Sequence, residues 1–97
     1  MKNLTQTTTY HDENKTIIKK IYFEDEQGLK QGSFKRFYAS GNIEAEANYK
    51  DGKLDGAYKH YYENGNIIME CTYKDRKLEG VFKKYNRDGS LIEAKTF

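Results

Sequence analysis

Gly32, Gly56 and Gly80 fall 24 residues apart, and Gly41, Gly65 and Gly89 keep the same interval. Aligned on the first set, the chain reads GSFKRFYASGNIEAEANYKDGKLD (32–55), GAYKHYYENGNIIMECTYKDRKLE (56–79) and GVFKKYNRDGSLIEAKTF (80–97), with glycine, aromatic and lysine positions in common. A fixed period in the twenties marks a repeat array, in which each unit buries its apolar face only against its neighbours. The functional question for such a chain concerns a surface rather than a pocket.

Each repeat holds two short runs separated by glycine-containing turns. GSFKRFY and NIEAEANY flank ASG, and the second run leads through KDGKLDG, where Asp51-Gly52 is a strong hairpin signal. Neither run is long enough for a stable helix, and their β-branched and aromatic content favours strand. The expected fold is all-β: an elongated single-sheet antiparallel meander of repeated β-hairpins. Upstream, TIIKKIYF (16–23) and EDEQGLKQG (24–32) read as half of an incomplete first repeat, so the array is expected over 16–97, with a partial repeat at 16–31. Residues 1–15 are polar and carry no period, and are expected to form a flexible lead-in.

Folding the first hairpin about Ser40-Gly41 pairs Tyr38 with Ile43, Arg36 with Ala45 and Phe34 with Ala47 on one face. The other face then carries Phe37 with Glu44, Lys35 with Glu46 and Ser33 with Asn48. The second repeat gives the same split, with Lys59 opposite Glu70, and a one-residue slip would exchange the faces. The core is expected on the first face, in a row Phe34, Tyr58, Phe82 with Tyr49, Tyr73 and Phe97 beside it.

Charged residues make up 33% of the 97, but nine Tyr and five Phe argue against disorder. The net charge of +2 is far from the basic excess of a nucleic-acid binder, and only Arg36, Arg76 and Arg87 are arginines, so nucleic acid is not an expected partner. The single cysteine, Cys71, allows neither an intrachain disulfide nor a cysteine-based metal cluster. The first residues contain no apolar h-region, and no stretch approaches the roughly 20 apolar residues of a membrane span, so a cytoplasmic location is expected.

Candidate chemistry is sparse. His60 occupies the slot filled by Arg36 and Lys84 in neighbouring repeats, which suits a polar position on a sheet better than a catalytic base. Cys71 takes the place of Ala47 and reads as a small packing residue. Glu46 and Glu70 face Lys35 and Lys59, so a cross-strand charge ladder accounts for them. No catalytic, cofactor or metal residues are assigned, and the chain is expected not to be an enzyme.

The pattern G-x-[FY]-K-x-[FY]-Y-x-x-G-x-[IL], best seen from Gly56 to Ile67, followed by Y-K-D-G-K-L-x-G from Tyr49 to Gly56, resembles the bacterial variant of the MORN repeat. The resemblance covers residues 32–97 well and 16–31 loosely. It implies an elongated, twisted sheet of consecutive hairpins that acts as an interaction or assembly module. It also implies small proteins resembling antitoxins or immunity partners of secreted toxins. Two positions depart from the pattern: Arg76 replaces the turn glycine, which suggests a change of turn type, and Asn86 replaces the aromatic of Tyr38 and Tyr62.

The leading expectation is therefore a protein partner, a toxin or a second copy, held by an aromatic face or an end of the array. The candidate contacts are Phe37, Tyr38, Tyr61, Tyr62 and Tyr85, since tyrosine is rigid, amphipathic and enriched at interfaces. Edge strands are expected at Thr16 to Phe23 and at Leu91 to Phe97, where exposed backbone invites pairing. The alternatives are a homodimeric scaffold and attachment to anionic lipid through Lys35, Lys59 and Lys83 interleaved with rings, the latter opposed by the facing glutamates.

Overall fold

The computed structural model describes residues 3–97. Its nine strands are β1 (Thr5–Tyr10), β2 (Ile18–Glu24), β3 (Lys30–Phe37), β4 (Ile43–Lys50), β5 (Lys53–Leu54), β6 (Gly56–Tyr61), β7 (Ile67–Lys74), β8 (Lys77–Tyr85) and β9 (Leu91–Thr96). They form one open antiparallel sheet in the order β1-β2-β3-β4-β6-β7-β8-β9, with β5 paired to β4. The expected all-β meander of hairpins is present. Overall extents of 39 × 33 × 15 Å are those of a single layer.

The N-terminal segment departs from expectation. Instead of a lead-in outside the sheet, Thr5–Tyr10 pairs along β2, from Thr5↔Glu24 to Thr9↔Lys20. The outer strand on this side is therefore β1 rather than Thr16 to Phe23. The run TQTTTY is rich in β-branched residues, and pairing satisfies the backbone groups it turns towards β2 without any demand for the 24-residue motif. Its hairpin loop is tied by Asp12, whose carboxylate accepts from the Thr16 and Ile17 amides at 3.0 and 2.9 Å and from the Thr16 hydroxyl. Met1 and Lys2 of the same expected segment lie outside the described residues.

Register agrees with the sequence reading away from the turns. Phe34↔Ala47, Lys35↔Glu46, Arg36↔Ala45 and Ser33↔Asn48 are Cα partners, as are Lys59↔Glu70 and Tyr58↔Cys71. Nearer the turn the reading needs correction, because Phe37 pairs with Ile43 and Tyr38 closes the loop on Asn42. Tyr38 donates its amide to Asn42 O at 2.8 Å and accepts from Gly41 N–H at 2.9 Å, so the loop has three residues and ends in Gly41 at φ 95°. A register shift at Arg36/Phe37 absorbs the difference, leaving Glu44 as the extra residue, and the same shift recurs at His60/Tyr61 and Lys84/Tyr85.

The second type of turn also corrects an expectation. Asp51 and Gly52 both have positive φ, 51° and 81°, as a two-residue hairpin turn of the primed kind requires. Asp75 and Arg76 adopt 51° and 71°. Arg76 therefore keeps the turn its sequence seemed to change: strand pairing on both sides, Lys74↔Lys77 and Tyr73↔Leu78, holds it in the left-handed region.

One face carries the core, and it is thin. Phe34, Ala45, Ala47 and Cys71 are the buried hydrophobic residues. The two alanines and the cysteine lie opposite Phe34, Arg36 and Tyr58, so small side chains alternate with large ones and let the large ones cover them. Tyr22 stacks on Phe34 with centroids 5.8 Å apart, Phe34 meets Tyr49 edge-on at 5.7 Å, and Tyr58 meets Tyr73 at 5.9 Å. Lys30 lies over the Tyr22 and Tyr49 rings and Arg36 over Phe34, so alkyl stems and cations complete the cover. Towards β9 the cover runs out: Tyr58 and Phe82 are only half-buried and Phe97 is 56% exposed.

Candidate partner-binding surface

The second face is organised by charge. Across β3, β4, β6, β7 and β8, the residues Lys35, Glu46, Lys59, Glu70 and Lys83 are successive Cα partners, so sign alternates strand by strand. Such a row sets register and solubility while presenting no broad cationic field. Phe37, Tyr61 and Tyr85 stand two residues beyond the lysines on the same strands, which by strand alternation places them on this face.

The hydroxyls of Tyr61 and Tyr85 are fixed by that row. Tyr61 Oη donates to Glu46 Oε1 at 2.7 Å, and Tyr85 Oη donates to Glu70 Oε1 at 2.9 Å, one repeat later. Burial, then the bond to the Glu46 carboxylate, pushes the Tyr61 phenol up to about 12. The Tyr85 phenol is raised first by its bond to Glu70 and second by burial. Each ring is thus held by its acidic partner in the protonated form. Phe37 has no hydroxyl to hold.

Tyr38 and Tyr62 play a different part. Tyr38 Oη donates to Tyr61 O at 2.5 Å and Tyr62 Oη donates to Tyr85 O at 2.9 Å, so each phenol ties the turn of one repeat to the next. Asn42 Nδ2 to Glu63 O and Asn66 Nδ2 to Arg87 O, both 2.8 Å, repeat the tie one turn further on. The structure places these two tyrosines in the inter-repeat seam, and their partners are backbone. Asn86, at the third position of the series, bonds instead to Ser90 Oγ at 3.0 Å within its own turn. Arg87 lies 5.7 Å from the centre of the Tyr62 ring, which closes the seam from outside.

Beside the ring row, the turns frame two open grooves on one margin of the sheet. One, of about 440 Å³, is lined by Tyr61, Gly65, Asn66, Ile67, Tyr85 and Gly89. The other, of about 450 Å³, is lined by Ile17, Ile18, Phe37 and the turn Ala39 to Gly41 together with Thr16. The structure thus brings Phe37, Tyr61 and Tyr85 together with this margin and separates Tyr38 and Tyr62 from them by function. Sequence reasoning passed over Ile17 and Ile18, each 37% exposed, although two isoleucines at the head of a strand were a visible signal.

The residues considered for chemistry sit as follows. His60 Nε2 is 3.8 Å from Glu44 Oε2, between Ala45 and Met69 in register. Cys71 is buried and its thiol is pushed up by desolvation. Among the described residues, no three His, Cys, Asp or Glu side chains are grouped to hold a metal ion.

No curated protein matches the chain. A solved structure titled "Crystal Structure of TarM" aligns with 92% of this chain at 9% identity and a TM-score of 0.42, and the aligned part is 19% of that chain's own length. Residues 30–51 and 54–75, which run from β3 to the turn after β7, match the family model of the MORN repeat variant at two adjacent repeats.

Proposed function

We propose that this chain is a non-enzymatic protein-interaction module that receives its partner on the face and margin formed by Phe37, Tyr61 and Tyr85. The observation that carries this reading is the recurrence, one repeat apart, of a tyrosine whose hydroxyl is pinned by a glutamate beside an open groove framed by glycine turns. Rings held in one orientation lose little freedom on binding, which favours their use as anchors. MORN repeats generally serve interaction, and the partner class favoured by the resemblance is a toxin that the module caps as an antitoxin or immunity protein would. The alternating lysine and glutamate row weighs against an anionic membrane as the partner.

The test is affinity capture with the wild-type chain and with Tyr61→Ala/Tyr85→Ala, after circular dichroism has shown that both retain the sheet. Recovery of a partner by the wild type alone supports the surface, and equal recovery by both refutes it. Co-expression then addresses the antitoxin reading: the captured protein should arrest growth when expressed alone and cease to do so beside the wild-type chain.

A further inference from the structure

Every residue of the outer strand β9, Leu91–Thr96, is exposed, and its Leu91 and Ile92, at 55% and 53%, are joined by Phe97 at 56% as large exposed hydrophobics. Among the described residues β9 pairs only with β8. Phe97 N–H donates to Gly80 O at 2.8 Å and Gly80 N–H to Phe97 O at 3.3 Å, which makes this a hydrogen-bonded antiparallel pair. By the alternation of such ladders, Lys95 and Glu93 also turn their backbone groups towards β8, while those of Ala94 and Thr96 point away from the sheet.

The geometry points to a second copy of this chain as the occupant of that edge, added antiparallel about a two-fold axis at Ala94. Outward backbone groups then meet, and Ala94 bonds with Ala94 of the other copy. Glu93 falls opposite Lys95 twice, once on each side of the axis, in the closer kind of antiparallel pair where side chains touch. The register shift at Lys84/Tyr85 leaves Ile92 as the extra residue and sets Leu91 beside Tyr85, on the face opposite Phe97, so neither Leu91 nor Phe97 enters a cross-copy pair. Two-residue slips, which preserve the hydrogen-bond alternation, bring Lys95 against Lys95 or Glu93 against Glu93, so charge disfavours both neighbouring registers. The segment Glu93-Ala94-Lys95 is thus complementary to itself when reversed. Pairing β9 with β1 of another copy would set Glu93 and Lys95 against the uncharged run TQTTTY and would grow without closing. This surface is distinct from the one carrying Phe37, Tyr61 and Tyr85.

Sedimentation of the 97-residue chain over a concentration series tests the inference. The wild type should pass from monomer to dimer and stop there. Glu93→Lys and Lys95→Glu, both at exposed positions, should each weaken the dimer by about tenfold or more, because two opposite-charge pairs become like-charge pairs. An equimolar mixture of the two variants should dimerise as well as the wild type, since each copy then supplies the charge the other lacks. Tyr61→Ala should dimerise normally. A wild type that stays monomeric, growth beyond the dimer, single variants that dimerise unchanged, a mixture that fails to recover, or loss of the dimer in Tyr61→Ala would each overturn it.

Discussion

Arg76 is the residue whose replacement tests the account of this fold most sharply. Its φ of 71° lies in the region where a side chain crowds the following carbonyl, at a cost of about 1–2 kcal/mol for an L-residue. The equivalent Gly52, at 81°, occupies the same region without that cost. Arg76→Gly should relieve the crowding, and the backbone bond from residue 76 N–H to Leu54 O at 3.4 Å remains available. Glycine also gives the unfolded chain more freedom, which returns about 0.5–1 kcal/mol. The net expectation is a gain of about 0.5–1 kcal/mol, which for a chain of this size raises Tm by about 2–8 °C. The reciprocal change is asymmetric in its surroundings: a Cβ on Gly52 would meet Leu29 Cδ2 at 3.2 Å, so Gly52→Ala combines a left-handed penalty with a contact that Leu29 must yield. It should lose about 1–2 kcal/mol. Thermal melts followed by circular dichroism measure both. A Tm for Arg76→Gly that is unchanged or lower would refute the reasoning, because it would mean that residue 76 is not held at positive φ in solution.

Three further outcomes follow from the seams and the core. Tyr62→Phe removes only the hydroxyl that bonds to Tyr85 O and should cost about 1 kcal/mol in urea unfolding, whereas Asn86→Ala, confined to its own turn, should cost less. Cys71 is buried with its thiol pushed up, so it should react with alkylating reagents at pH 8 only as fast as the sheet opens, and Cys71→Ala should fold normally because Ala47 fills the equivalent slot. The Tyr61 phenol is raised from 10.0 to about 12, so the folded state holds its proton more tightly than the unfolded one. Its contribution to stability is therefore complete below pH 10 and falls away as pH rises towards 12, and Tyr61→Phe should abolish the late component of an ultraviolet pH titration.

The repeat register was legible in the sequence wherever side-chain alternation alone decided it. Lys35 opposite Glu46 and Lys59 opposite Glu70 follow from period two and a charge match, and both stand. Near the turns the same arithmetic failed by one residue, because a three-residue loop closed by Tyr38 and Asn42 displaces the pairing and a bulge at Arg36/Phe37 restores it. Turn closure is a backbone hydrogen-bonding matter that side-chain period does not report. The candidate surface divided likewise. Five rings looked alike as sequence, yet Tyr38 and Tyr62 spend their hydroxyls on carbonyls of the next repeat, whereas Tyr61 and Tyr85 spend theirs on glutamates of their own face. Partners 23 and 15 residues away are fixed only when hairpins stack.

By itself, the 24-residue period with its paired glycines determined a sheet of hairpins, the assignment of lysines and glutamates to one face, and the packing role of Ala47 and Cys71, since each follows from interactions within one hairpin or between identical neighbours. The tertiary structure decided the rest. Stacking recruited the aperiodic Thr5–Tyr10 into the sheet, forced Arg76 into a glycine's conformation and divided the tyrosines between seam and surface. These outcomes depend on which backbone groups remain unsatisfied once neighbouring strands are in place, and that is settled by contacts across the array rather than along the chain.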